Sequence, residues 1–218
     1  MKPHYVSMTF VIASLVLAAS STRADPMFDV TLDTSAIVGT EDQLVFELVD
    51  GGGEPQTSFS LTHFDLGGGA VVAPADYLGS TGVSGDVSSG IAMDDSGGTV
   101  LFTQLVTFGS SLMFQLTSST VLSVGAPDTS PNAFSMLVCA SDFSACYSAN
   151  TQTGALLELD LTGAAISPSS FVLDAAPGPD GPGLPAPVVT AVPEPTTLAL
   201  LLGGLFGVAA VRRRHGSG

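Results

Sequence analysis

The sequence has few basic residues, and its central part has none. Lysine and arginine together number five among 218 residues, against 20 aspartates and glutamates. The basic residues lie only near the two ends of the chain, at Lys2, Arg23, Arg212, Arg213 and Arg214. Because proteins hold nucleic acid with lysine and arginine that displace counterions from the phosphates, we expect no direct nucleic-acid partner.

Tryptophan is absent, and histidine and cysteine are scarce. His63 is the single histidine between residues 25 and 211, so a zinc cluster built on histidine cannot be assembled there. The two cysteines, Cys139 and Cys146, leave no odd thiol and cannot form a four-cysteine metal site. We therefore expect no cofactor that depends on histidine or cysteine ligands.

Charge is also sparse, whereas apolar residues are plentiful. Charged residues make up 11% of the chain, well below the usual quarter of a soluble domain. Apolar residues make up 45%, and 12 of them are phenylalanine, so the chain can bury a core. This composition argues against global disorder and indicates that some segments are not ordinary soluble surface.

The first 24 residues have the three parts of a secretory signal peptide. Lys2 supplies the positive start, residues 8–19 form an apolar run, and small residues follow at Thr22 and Ala24. The pattern predicts cleavage between Ala24 and Asp25. A buried helix or an uncut membrane anchor is the alternative, but this apolar run is too short to span a bilayer and small residues follow it.

The C-terminal part combines a proline motif, an apolar run and an arginine cluster. Its parts are Pro193, Glu194 and Pro195, then the apolar residues 196–211, then Arg212, Arg213 and Arg214. Sixteen helical residues at about 1.5 Å each reach roughly 24 Å, which is marginal for a hydrocarbon core near 30 Å. Arginines on the C-terminal side alone place the tail in the cytoplasm and the central part outside, as a signal peptide also requires.

This order of motif, short helix and arginine cluster resembles the PEP-CTERM sorting signal of Gram-negative bacteria. In that family an exosortase, a membrane-embedded cysteine transpeptidase, cuts near the motif and releases or transfers the protein to the cell exterior. The resemblance implies that Pro193, Glu194 and Pro195 are recognised, that residues 198–211 are a transient anchor, and that the arginines are the stop signal. Such proteins typically occur in bacteria that make extracellular polysaccharide and form biofilm.

A permanent anchor with a proline-rich neck is the alternative interpretation of this segment. Sorting is favoured because the apolar run is short and Gly203, Gly204 and Gly207 weaken its helix. The same glycines could instead form a helix-packing face. Pro193 and Pro195 prevent regular ladder or helix pairing, which keeps the backbone at these residues extended and accessible to a protease.

Between residues 25 and 174, apolar and polar residues alternate with the period of two that is typical of β-strands. Phe28, Val30 and Leu32 form one core-facing set, and residues 44–48 contain another. Further strands are predicted at 57–65, 69–73, 99–108, 111–117, 133–140, 155–162 and 171–174. Glycine-rich turns separate them. The pattern predicts an all-β fold, a single antiparallel sandwich or jelly roll, flanked by the signal peptide and a short C-terminal transmembrane helix.

The predicted organisation has five parts. They are a signal peptide (1–24), the β domain (25–174), a spacer (175–192), the sorting signal (193–214) and a tail (215–218). The spacer is expected to be extended because it is rich in proline and glycine. The stretches 28–36 and 107–112 also resemble the largely uncharacterised β-rich ectodomains of PEP-CTERM proteins, and this resemblance adds no catalytic residue.

Cys139 and Cys146 enclose six residues at the end of a predicted strand. In an oxidising exterior compartment this spacing favours a disulfide that clamps a loop, with a stabilisation of about 2 to 3 kcal/mol. A redox role is the alternative. It would favour a closer pair of cysteines and a basic neighbour that activates the thiol, and the sequence has no such neighbour.

Carboxylates are the abundant chemical groups, and two pairs are candidate sites. Glu158 and Asp160 share one face of a predicted strand about 7 Å apart, a spacing that suits glycoside hydrolysis. Asp94 and Asp95 lie in a glycine turn that could bind Ca²⁺ weakly, although the regular spacing of a calcium loop is missing. Solvated surface is the favoured interpretation of both pairs. His63 lacks a catalytic arrangement around it and is expected to be an ordinary strand residue.

Two classes of function remain. The first is an exported, exosortase-processed surface or matrix protein without enzymatic activity, associated with exopolysaccharide or biofilm. The second is a carbohydrate-binding or carbohydrate-active domain, including a glycoside hydrolase. Sugar rings usually stack on tryptophan or tyrosine, and the exported part has only Tyr77 and Tyr147, which favours the first class.

The expected partners follow the predicted route of export. They are the secretion machinery and signal peptidase, then the inner membrane and the exosortase, and finally extracellular polysaccharide. We expect the domain in the periplasm while it is anchored, and at the outer surface or in the extracellular matrix of a Gram-negative bacterium after processing. No cofactor is expected apart from weakly bound Ca²⁺.

Overall fold

The computed structural model describes residues 25–51, 57–119, 132–147, 155–161, 166–173 and 183–193. These residues form two antiparallel six-stranded sheets that enclose one hydrophobic core, which confirms the expected all-β fold. The predicted signal peptide and transmembrane helix lie outside the described residues. Within the described ranges, no helix is long and apolar enough to cross a membrane.

The strands are short and follow one another along the described chain. They are β1 (Met27–Asp33), β2 (Glu41–Val49), β3 (Ser58–Asp65), β4 (Ala70–Val71), β5 (Val83–Asp86), β6 (Gly90–Asp94), β7 (Val100–Thr107), β8 (Ser111–Ser118), β9 (Asn132–Ala140), β10 (Leu157–Leu161), β11 (Phe171–Leu173) and β12 (Val188–Ala191). Single 3₁₀ turns occur at Ser35–Ile37 and Pro168–Ser170. Sheet A has the strand order β12-β1-β8-β3-β6-β5, and sheet B has the order β11-β10-β9-β2-β7-β4.

Period-two alternation decides which side chains enter the core. In β1, Phe28, Val30 and Leu32 are buried, whereas the residues between them are exposed. Phe46 in β2 lies at the centre of the core, because its ring contacts four other phenylalanine rings at centroid distances of 5.4 to 6.0 Å. Those rings come from both sheets, so aromatic packing joins the two layers.

The structure differs from the sequence prediction at β5 and β6. Residues 83–94 were not predicted as strands, yet they form a hairpin at the edge of sheet A. Gly85 and Gly90 both have positive φ angles, of 90° and 97°. Glycine is depleted in strands, so the local sequence of residues 83–94 indicates a turn. β6 is nevertheless a strand, because it pairs with β3.

A second difference concerns the predicted spacer at 175–192. Residues 183–191 lie on the folded body, where β12 pairs with β1 and Leu184 is only 1% exposed. Residues 174–182 lie outside the described part. The β-branched pair Val188 and Val189 and the position at a sheet edge explain this strand, because prolines that precede an edge strand do not interrupt its pairing.

Candidate functional site

The C-terminal edge of sheet A joins the folded body to the predicted sorting signal. β12 pairs with β1 in antiparallel register, with Ala191 opposite Phe28 and Val188 opposite Thr31. The N–H of Val192 donates to the carbonyl oxygen of Met27 at 2.9 Å. Pro193 follows and is exposed. Because proline has no N–H, ladder pairing cannot continue through this residue.

β12 has little side-chain contact with the rest of the body. Val188 is 60% exposed, Thr190 and Ala191 are exposed, and Val189 is half-buried against the core. Two side chains in the described C-terminal segment are buried, and both lie before the strand: Leu184, which is 1% exposed, and Pro187. Backbone pairing, the buried Leu184 and Pro187 and the half-buried Val189 therefore hold this segment on the body.

Both chain ends of the body lie at the same end of sheet A. β1 begins at Met27, two residues after Asp25, where the mature chain is predicted to start. Since β1 and β12 are antiparallel neighbours, the start of β1 lies beside the end of β12. Asp25 is exposed, and Ala24 lies outside the described residues. The body can therefore fold while both predicted membrane segments leave it from one end.

The predicted disulfide is present between Cys139 and Cys146, with a Cα–Cα distance of 3.8 Å. It closes a loop at the end of β9, in which the N–H of Phe143 donates to the Ala140 carbonyl at 2.8 Å. Phe143 has a φ of 58° and its side chain is 47% exposed. The disulfide thus closes a tight turn in which the ring of Phe143 is exposed.

Next to this loop, a tyrosine and a buried carboxylate form a hydrogen-bonded pair. The Tyr147 hydroxyl donates to the Asp42 carboxylate at 3.2 Å, and Thr40 donates to the same carboxylate oxygen. Burial, and then the negative charge of Asp42, raise the pKa of Tyr147 above its usual value. The pair attaches the end of the disulfide loop to the start of β2.

Asp95 is buried and connects the two sheets. Its carboxylate accepts from the Thr57 N–H at 2.8 Å and from the Asn132 side-chain amide at 2.6 Å. The amide oxygen of Asn132 accepts from the Gly51 N–H at 2.7 Å. Burial is the main reason why the pKa of Asp95 is raised, and the hydrogen bond from Thr57 opposes the shift. Asp95 therefore has a structural role between β3, β6 and β9.

Asp94 has separate hydrogen-bond partners from Asp95. Its carboxylate accepts from both the N–H and the hydroxyl of Ser96, which closes the turn after β6. Among the described residues, no group of three or more histidine, cysteine or acidic side chains could hold a metal ion. His63 lies at a β-bulge with a φ of 56°, and its exposed ring is 3.0 Å from the Thr62 hydroxyl.

The outer face of sheet B brings together carboxylates that are distant in the sequence. Ser135 in β9 is opposite Glu158 of β10 on one side and Glu47 of β2 on the other. Partial burial raises the pKa of Glu47. Asp160 lies opposite Ala133 in register, and its side chain lies outside what the structure describes. Sequence reasoning missed Glu47 because only strand order places β2 next to β9.

The comparisons with known proteins place one motif on the chain. The search of curated proteins and the search of solved structures found no match. The profile of the PEP-CTERM protein-sorting motif matches residues 191–214, from the last residue of β12 to the end of the arginine cluster. Glu194, Pro195 and the arginines lie outside the described residues. The chain therefore carries a PEP-CTERM protein-sorting motif, the mark of an exported protein that an exosortase handles at the membrane.

Proposed function

We propose that this protein is a non-enzymatic component of the cell surface or extracellular matrix, associated with exopolysaccharide or biofilm. The observation that carries the proposal is the match of residues 191–214 to the sorting motif, directly after the last strand of an all-β body. Signal peptidase would release the N-terminus after Ala24. The exosortase would then act near Pro193, while the segment after it holds the protein in the inner membrane.

The positions of the aromatic side chains support a body that does not bind sugar by ring stacking. Tryptophan is absent from the sequence. The Tyr77 hydroxyl donates to the Gly85 carbonyl at 2.8 Å, and that of Tyr147 donates to Asp42. The described phenylalanine rings pack largely into the core, apart from Phe143. Sugar-binding sites usually use exposed tryptophan or tyrosine, so these positions favour a structural role.

A carbohydrate-binding or carbohydrate-active domain is the second candidate function. The row of Glu47, Ser135 and Glu158 on the outer face of sheet B favours it, because two carboxylates that flank a hydroxyl can accept hydrogen bonds from sugar hydroxyls. Retention of the purified body on immobilised polysaccharides would test it. Binding or release of reducing ends that Glu47→Gln with Glu158→Gln abolishes would support this function over the structural one.

The sorting step is tested by neutralising the arginine cluster. Replacing Arg212, Arg213 and Arg214 with glutamine should leave export intact and block sorting, because the signal peptide and the positive stop act at different steps. Cell fractionation with an antibody to the body should then show unprocessed protein in the envelope or medium. Unchanged mature size and location in the triple variant would contradict the proposal.

A further inference from the structure

The sorting motif begins at the last residue of β12, so binding of the sorting enzyme and pairing of β12 with β1 involve the same backbone. The motif match begins at Ala191, which is still paired with Phe28. We propose that the sorting enzyme binds residues 188–193 as an extended chain, and that β12 must leave β1 before this can happen. The proposal rests on the sorting function proposed above and adds a conformational step to it.

The first argument is that the folded body covers one side of this segment. Enzymes that act on peptide bonds bind several residues on either side of the bond as an extended strand, through main-chain hydrogen bonds. One backbone edge of β12 is already paired with β1, and the Val192 N–H is bonded to Met27. Val189 also packs against the core. A cleft cannot enclose residues 188–193 while these contacts exist.

The second argument is the short reach of the chain. Ala191 and Leu198, where the predicted transient anchor begins, are seven residue steps apart, which span at most about 25 Å when fully extended. The headgroup layer that this segment crosses takes up roughly 5 to 7 Å of this length. With β12 docked, the body therefore lies close to the membrane surface. Release of residues 183–191 would add about 30 Å, enough room for a membrane enzyme.

The third argument is that β12 can leave without unfolding the body. The strand makes one short ladder, and three of its four side chains are exposed. Leu184 and Pro187 are the buried side chains that must be withdrawn with it. β1 keeps seven register pairs with β8, from Met27 to Asp33, and Phe28 keeps its ring contact with Phe171. Local opening of such an edge costs far less than global unfolding.

A disulfide between β1 and β12 tests the proposal directly. Asp29 is opposite Thr190 in β12 and opposite Gln115 in β8. The variant Asp29→Cys with Thr190→Cys should lock β12 in place, whereas Asp29→Cys with Gln115→Cys is a matched control that leaves β12 free. We expect processing at least tenfold slower in the locked variant, near the wild-type rate in the control, and recovery when a reductant is added.

A second variant tests the opposite direction and does not depend on disulfide formation. Leu184→Ala truncates the larger of the two buried side chains before β12, so it should raise the population of released β12 and speed processing at least fivefold. Pulse-chase labelling in cells that contain the sorting enzyme measures both rates. Cross-linked protein that is processed at the wild-type rate, or a Leu184→Ala variant that is no faster, would overturn the proposal. If the wild type is not processed at all, the sorting function fails instead.

Discussion

The strands β2 and β12 differ more than any local property of their sequences suggests. β2 has nine residues, pairs with strands on both sides and places Leu44, Phe46 and Leu48 in the core. β12 has four residues, one partner and mostly exposed side chains. Both contain apolar residues that include two valines. Position in the sheet therefore decides that β2 is held on both sides and β12 on only one.

The difference has a functional meaning at the C-terminus. The release of β12 that we propose before sorting requires a junction of low local stability. Sheet A provides it at an edge, where pairing ends at Pro193. Sheet B provides the opposite at its centre, where β2 lies between β7 and β9. The same fold thus has a central strand, β2, that is paired on both sides and an edge strand, β12, that is weakly attached.

Truncation of the central ring should have the largest effect. Phe46→Ala is expected to cost about 3 to 5 kcal/mol of unfolding free energy, because it leaves a cavity between four aromatic rings. Val189→Ala in β12 should cost about 1 kcal/mol or less, since that side chain is half-buried. Urea unfolding of residues 25–193 measures both. Equal losses would show that β12 is as integral to the fold as β2.

Removal of the disulfide should have an intermediate effect. Cys139→Ala with Cys146→Ala frees a loop at the end of β9, the strand next to β2, and is expected to cost about 2 to 3 kcal/mol. Urea unfolding of the wild-type body in a reductant is the control and should show a similar loss. An unchanged midpoint in both experiments would mean that the loop is held by its other contacts.

Added salt should raise the stability of the whole body slightly. Residues 25–193 contain 19 aspartates and glutamates and no lysine or arginine, so the carboxylates repel one another. Millimolar Ca²⁺ should raise Tm, and NaCl of matched ionic strength should raise it nearly as much through screening. Thermal melts compare the two. A larger rise in Ca²⁺ that Asp94→Asn removes would identify a calcium site at Asp94 and Asp95, whereas equal rises leave screening alone.

The smallest effect concerns the charge on the outer face of β2. Burial raises the pKa of Glu47, so the folded state favours the neutral form of its carboxyl group. The stability gained from this neutral form is fully present below the unfolded-state pKa and is lost as the pH rises through the folded-state pKa. Glu47→Gln should therefore raise Tm by about 1 to 2 °C at pH 7 and leave it unchanged below about pH 4.

Glu41→Gln is the control for this experiment. Glu41 is exposed on the same strand and face, so its replacement removes one charge without removing a buried one. Thermal melts at both pH values should show no comparable gain for the control. An equal gain in the two variants would assign the effect to overall charge repulsion rather than to the burial of Glu47.

Much of the fold could be predicted because alternation is a local property. Phe28, Val30 and Leu32 face the core as their spacing predicts, and Cys139 and Cys146 form the expected disulfide. The hairpin at 83–94 could not be predicted, because its glycines favour turns and only pairing with β3 makes it part of the sheet. The sorting motif at 191–214 was recognisable because a linear signal has the same residues whether or not the chain is folded.

By itself, the sequence determined the all-β class, the core-facing residues of the clearest strands and the sorting motif, since each depends on residues close together along the chain. Only the tertiary structure decided which strands are neighbours, and hence that Glu47 and Glu158 flank Ser135 and that Asp95 joins the two sheets. It also decided that residues 188–191 are an edge strand on β1 rather than part of a spacer. These outcomes depend on long-range register and on burial, which the local pattern does not contain.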